Sequence, residues 1–202
     1  MSNIIDNSFL EHQQLTGITL SKCYKDIEMA GEYLKKIFNP DPSKTNFPIS
    51  GNKLLIFGNG GSASDSQHIA AEFTNRFTIN RKPLPAIALT TDTSAITAIS
   101  NDFSFNEIFS KQIEAIGKTG DIAIGISTSG TSPNVIRGLS KAKDLNMRTI
   151  LLTSHKIDSS TFDITIRVPS DNTARIQEMH ILIGHILCQI VDELYKDDVK
   201  SN

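Results

Sequence analysis

Tryptophan is absent from the 202 residues and cysteine occurs only twice. No apolar run approaches the roughly twenty residues that a membrane-spanning helix needs. Cys23 and Cys188 lie far apart within helical patterns, which excludes a disulfide framework and predicts two buried free thiols in a reducing compartment. The opening Met1-Ser-Asn-Ile-Ile-Asp6 is polar and acidic, unlike a secretory signal, so a cytoplasmic protein is expected. Surplus positive charge is also missing. The 20 Lys and Arg are outweighed by 22 Asp and Glu, and no basic stripe gathers them, so nothing favours nucleic acid as a partner.

What is present suits a single α/β domain over residues 1–202: a helical segment 1–38, a proline-rich loop 39–51 and an α/β core 52–195. Apolar residues recur at helical spacing from about Phe9 to Phe38 (Leu15, Ile18, Leu20, Cys23, Ile27, Met29, Leu34 among them), predicting one long helix or two. Asn39 to Gly51 breaks the pattern with three prolines. Short apolar runs at 54–57, 86–89, 121–126, 149–152 and 164–168 read as five strands separated by helices, the pattern of a parallel sheet covered on both faces. Asp92 or a neighbouring Thr is expected to cap a short helix through Ile99, with Ser100 to Phe105 as a turn. Pro133 at a first helical position, with Ser132 as its cap, opens another helix. The last helix, from about Thr173 to Tyr195, is apolar almost all round and is expected to be covered on several sides. The charged tail Lys196–Asn202 is expected to fray.

Two loops fall at the carboxyl ends of strands, where ligands bind in such sheets. The first is Gly58-Asn-Gly-Gly-Ser-Ala-Ser-Asp-Ser-Gln-His-Ile-Ala-Ala-Glu72, a glycine turn that runs into a helix and presents main-chain N–H groups to an anion. Gly58, Gly60 and Ala63 satisfy a loose dinucleotide pattern, but the acidic residue that pattern needs about twenty positions later is missing. The second is Ser127-Thr-Ser-Gly-Thr-Ser132, whose five hydroxyls ahead of a helix start favour a phosphoryl group over an ordinary polar turn. His68 and Glu72, four apart on one helix face, are metal ligands, an acid/base pair or a surface ion pair; from spacing alone the last is the default. Gln177, Glu178, His180 and His185 stand in the apolar last helix and call for partners, and one of the two histidines is expected to be an ordinary core residue.

Taken together, Gly58-Asn-Gly-Gly-Ser-Ala, Gln67-His-x-Ala-Ala-Glu72, Ala88-Leu-Thr-Thr-Asp-Thr-Ser94, Asn101-Asp, Gly125-Ile-Ser-Thr-Ser-Gly-x-Ser-Pro-Asn134 and Ala174-Arg-Ile-Gln-Glu-Met-His-Ile-Leu-Ile-x-His185 resemble the phosphoheptose isomerases, which are built on the sugar isomerase (SIS) domain. The resemblance runs from about Lys53 to the end of the last helix. It implies a flavodoxin-like five-stranded parallel sheet with helices on both faces, preceded by an N-terminal helix. It also implies a homotetramer with active sites at subunit interfaces, and conversion of sedoheptulose 7-phosphate to a manno-heptose 7-phosphate on the way to nucleotide-activated heptose for surface glycans such as lipopolysaccharide or capsule. The implied zinc ligands are His68, Glu72, Gln177 and His185, with Glu72 and His185 as the acid/base pair and His180 structural. Asn59, Gly60, Gly61, Asn101, Asp102, Ser127, Thr128, Ser129 and Ser132, together with Glu72 and Gln177, are the implied substrate contacts.

Gln177 and His185 are eight residues apart, about 12 Å along a regular helix. Ligands from more than one subunit, or an irregular helix near Gln177, are therefore expected. The 39–51 loop is longer than the family's link. Ser154-His-Lys-Ile-Asp-Ser-Ser160 replaces the family's glycine-rich connection, with His155 expected as a solvated loop residue. A non-catalytic SIS module that binds a phosphosugar or a protein, and an isomerase of another phosphosugar, are the competing readings.

Overall fold

Leu54 and Ile56 point to one side of a strand and Leu55 and Phe57 to the other, yet all four are buried, so this segment must be covered on both faces. The computed structural model, which describes residues 2–39, 51–157 and 161–196, shows how. Strands β1 (Leu54–Gly58), β2 (Ala86–Ala88), β3 (Ile122–Ile126), β4 (Arg148–Ser154) and β5 (Ile164–Val168) pair in parallel in the order β2-β1-β3-β4-β5. This is the flavodoxin-like order, which reverses direction between β1 and β3.

Helices α1 (Ser2–Phe38), α2 (Gly61–Thr74) and α6 (Thr173–Asp192) cover one face, where Leu54, Ile56, Ile122, Ile124, Ile150 and Leu152 meet Leu34, Phe73 and Ile183. Helices α4 (Ile108–Ile116) and α5 (Pro133–Asp144) cover the other, where Leu55, Phe57, Ala123 and Leu151 meet Phe109, Ile113 and Leu139. Each such side chain contributes about 1.5–3 kcal/mol of burial. A slip of one residue would exchange the two face sets, so the register is strongly specified.

Several expectations needed correction. The N-terminal pattern forms one helix, whose buried apolar side chains are Leu15, Cys23, Ile27, Ala30, Leu34 and Phe38, while Ile18, Leu20 and Met29 are exposed. Asp92 does cap α3 (Thr93–Asp102), accepting from Ala95 N–H at 2.9 Å. The helix continues past Ile99, however, and takes Ser100, Asn101 and Asp102 into its last turn instead of a loop. Ile96 and Ile99 hold it against the second core. Ser132 sits at the cap position of α5, but its side chain makes no cap bond. The segments read as a proline-rich loop and a frayed tail, and the end of the 154–160 connection, lie outside the described residues apart from their edges.

Cys23 and Cys188 are buried and unpaired, and burial, reinforced by nearby Asp26 and by Glu72 respectively, pushes both thiols up, Cys188 to about 12. No described helix is long and apolar enough to cross a membrane.

Candidate active site at the switch point

Because β1 and β3 are neighbours in register, with Gly58 opposite Ile126, the loops that leave them emerge side by side at the carboxyl edge. After β1 the chain turns through Asn59 and Gly60, the latter at φ 56°, and enters α2 at Gly61. No side chain caps α2; Ser62 and Ala63 N–H donate back to the Asn59 and Gly60 carbonyls at 3.0 Å, which sets the tight turn at this edge.

After β3 the serine loop folds on itself. Ser127 Oγ donates to Ser132 Oγ at 2.9 Å and accepts from Gly130 N–H at 3.1 Å, while Ser129 Oγ accepts from Thr131 N–H at 3.2 Å. Gly130 is obligatory here. Its φ is 71°, and a Cβ would lie 2.6 Å from Thr153 Oγ1 and closer still to Ile157. At the start of α5 Pro133 has no N–H and Val135 N–H is held by Asn134 Oδ1, so it is the loop hydroxyls, with the positive end of the helix behind them, that make a favourable setting for phosphate. Asn59 and Asn134 tie the two loops together through reciprocal amide hydrogen bonds of 2.8 Å, and Asn134 Oδ1 also accepts from Val135 N–H. Asn134 was legible in the motif but not in its role, because a carboxamide pair between two loops has no sequence spacing.

Helices α2 and α6 pack closely enough that a Cβ at Gly184 would lie 2.4 Å from Ile69 Cδ1. That approach brings His185 to His68, with Nε2 atoms 2.9 Å apart, and Glu72 Oε1 lies 3.3 Å from His68 Nε2. Ligand atoms of His68, Glu72 and His185 all fall within 4.8 Å of one another, with His68 exposed and the other two half-buried. Two ligands of a tetrahedral zinc at 2.0–2.1 Å stand about 3.3 Å apart, so the donor set and its spacing fit such an ion. Burial, and then the neighbouring His68, lower the His185 pKa, while Glu72 opposes the shift. Phe77 stacks on the His185 ring, centroids 5.3 Å apart, a support that no motif announced.

Gln177 is not in the cluster. It lies one helical stretch earlier, where a Cβ on Gly61 would meet its Nε2 at 2.5 Å, so in one chain it faces the glycine turn. Helix α6 is continuous from Thr173 to Asp192, which removes the irregular-helix explanation. Asn101 and Asp102 are exposed at the end of α3, and the Asn101 side chain donates to Asp102 at 2.9 Å. Thr128 is half-buried within the serine loop. His155 is exposed, 3.8 Å from Asp171.

His180 is buried behind the serine loop, with Nε2 at 3.2 Å from the Thr153 carbonyl oxygen and Nδ1 without a hydrogen-bond partner among the described residues. Burial lowers its pKa from 6.5 to about 4, despite the Thr153 bond. The unfolded chain therefore binds a proton between those values that the folded chain does not. Stability from this residue is complete above pH 6.5 and is lost as the pH falls towards 4, a change of roughly 3 kcal/mol. Urea midpoints measured across this window should fall more steeply in the natural protein than in a His180→Gln variant; equal slopes would refute the assignment.

A family model described as the SIS domain matches residues 49–154. Phosphoheptose isomerase 1 of Campylobacter jejuni is 48% identical over 200 residues, covering 96% of this chain and 100% of that one. The phosphoheptose isomerase of Aquifex aeolicus is 57% identical over 147 residues, covering 71% and 76%. A solved phosphoheptose isomerase from Francisella tularensis superposes with a TM-score of 0.84 at 38% identity, covering 95% and 97%. A parallel sheet in this order, with a serine-lined loop at its reversal, and a match to that model define a protein of the SIS-domain class. Within that class the chain belongs to the phosphoheptose isomerase family.

Proposed function

We propose that the reaction is the interconversion of sedoheptulose 7-phosphate and D-glycero-manno-heptose 7-phosphate through an enediolate. The observation that carries this reading is the meeting of His68, Glu72 and His185, the first two on the helix that starts at the sheet edge from which the serine loop also emerges. The reaction moves one proton between adjacent carbons and another between their oxygens. Glu72 takes the carbon-bound proton and returns it to the neighbouring carbon, and His185, whose pKa burial lowers from the ordinary histidine value, exchanges protons with the oxygens. The phosphate, remote from the reacting end, is held by Ser127, Thr128, Ser129 and Ser132 and by the start of α5, which orients the sugar for transfer. Asn59, Gly60, Gly61 and Gln177 meet the sugar hydroxyls, and Asn101 and Asp102 belong to the same binding set.

His68, Glu72 and His185 would hold a zinc ion, with Gln177 supplied by a second copy of the chain. When bound, zinc supplies positive charge that offsets the negative oxygen of the enediolate. Exposed Ile4, Ile5, Phe9, Leu10, Ile18, Leu20 and Tyr24 along α1 support assembly, since so much apolar surface on one helix favours burial against another subunit. A cytoplasmic homotetramer with sites at subunit interfaces is the form we assign. Its heptose product feeds surface glycan synthesis.

The test is to incubate the purified protein with sedoheptulose 7-phosphate and to follow the aldose product. Turnover is expected, with a loss of at least about tenfold after chelation and recovery on adding zinc. Binding of the sugar phosphate without any turnover at full zinc content would instead establish the non-catalytic SIS module.

A further inference from the structure

Small hydroxyl side chains and one glycine make up the whole of the loop Ser127-Thr-Ser-Gly-Thr-Ser132. Such a composition does little to hold a backbone in one conformation, and glycine leaves it the most freedom. A loop that is ordered before its ligand arrives binds more tightly, because less conformational freedom is lost on binding. What fixes this loop from outside therefore bears on its affinity. Gly130 closes the turn, donating to the Ser127 carbonyl at 3.0 Å and to Ser127 Oγ at 3.1 Å. A Cβ on Gly130 would run into Ile157 Cδ1 and lie 2.6 Å from both Ile157 Cγ1 and Thr153 Oγ1, so these two side chains rest directly against the loop's main chain.

Thr153 belongs to β4 and is wholly buried, whereas Ile157 stands just past the strand and is half-buried against the second core. Ile157 is itself anchored. Its carbonyl accepts from Arg167 Nε at 2.8 Å, and the Arg167 Nη1 donates to the Thr165 carbonyl at 3.2 Å. The Arg167 carbonyl accepts from Cys23 Sγ of α1 at 3.2 Å, and His155 N–H donates to the Val168 carbonyl at 3.0 Å. Bonds from β5 thus hold the segment after β4 so that one apolar side chain presses on Gly130. An isoleucine side chain has no group that can bond a phosphoryl oxygen, so any effect on binding passes through the loop.

We propose that Ile157 is a positioning residue for the phosphate site, holding Gly130 in the conformation in which Ser127 to Ser132 receive the phosphoryl group. This rests on the reading of that loop as the phosphate cradle and adds the side chain that sets its shape. The test is a titration of sedoheptulose 7-phosphate into the full-length natural protein, Ile157→Ala and Ile157→Val, read from the Ser129 and Gly130 amides in nitrogen-15 spectra. The midpoint is expected to rise at least about fivefold in Ile157→Ala. In Ile157→Val, which keeps the Cγ1 contact, it should return to within about twofold of the natural value. KM for the isomerase reaction should rise with the midpoint in Ile157→Ala, while kcat stays within about twofold, because proton transfer lies elsewhere. A natural protein with saturable shifts and the same midpoint in Ile157→Ala, or a variant that loses kcat with KM unchanged, would overturn the role of Ile157 and leave the phosphate site standing. No saturable shift at Ser129 and Gly130 in the natural protein would remove the phosphate site and the proposal together.

Discussion

Glu72→Gln is expected to lower kcat by about 10²–10⁴-fold and to leave KM within a few-fold, because it removes a proton acceptor and keeps the side chain's shape. Glu72 is partly exposed, and its carboxylate meets His68 across one helix turn. Neither fact makes it a core residue, so the variant should melt with the natural protein. The same carboxylate is one of the proposed zinc ligands, and zinc content must be measured beside kcat. A large loss of kcat at full zinc occupancy isolates the proton-transfer role. A variant with bound zinc and undiminished kcat would remove Glu72 as the base and require another group to take the carbon-bound proton.

The largest effect on stability is expected at Arg81. Its side chain and that of Asp192 are almost wholly buried and meet at 2.8 Å. Beyond that pair, Arg81 donates to the main-chain carbonyls of Glu72 at 2.8 Å and Phe73 at 3.0 Å, closing the end of α2. Asp192, at the end of α6, also accepts from Thr78 N–H and Thr78 Oγ, both at 2.9 Å. One ion pair thus pins together the helices that carry His68, Glu72 and His185. Arg81→Met would strand a buried carboxylate and remove the donor to the Glu72, Phe73 and Lys82 carbonyls, at a cost of about 3–5 kcal/mol, and would lower the melting temperature by roughly 10 °C. Arg81→Met/Asp192→Leu should recover part of that loss, because no unpaired charge remains. A single variant within about 1 kcal/mol of the natural protein in urea unfolding would show that the pair contributes little.

These two residues differ in how they could be found. Glu72 is legible as a partner of His68, which precedes it by one helical turn, although that spacing alone left a surface ion pair as the default and the resemblance implied its role. Arg81 and Asp192 are 111 residues apart, and no local pattern joins them. Asn134, Phe77 and His180 share that difficulty. Each acts through a partner that only the folded chain brings near: Asn59, His185 and the Thr153 carbonyl. Helix ends were partly legible. Asp92 caps α3 as its type and place suggest, but the Ser132 hydroxyl is engaged by Ser127, and at the start of α5 it is Asn134 that accepts the Val135 N–H instead.

By itself the sequence determined the strand and helix order, the two-sided burial of the sheet and the two loops at its carboxyl edge, since all of these follow from periodicity and from glycine, proline and serine at particular points. Tertiary structure alone decided which side chains meet. His185 reaches His68 because Gly184 lets α6 settle on Ile69, whereas Gln177, on the same helix, is carried by the helical rise to the glycine turn. A cavity at the far end of the sheet is likewise a property of packing. Tyr33, Lys143 and Arg148 come from three separate elements, and their common surface exists only once the helices have closed on the strands.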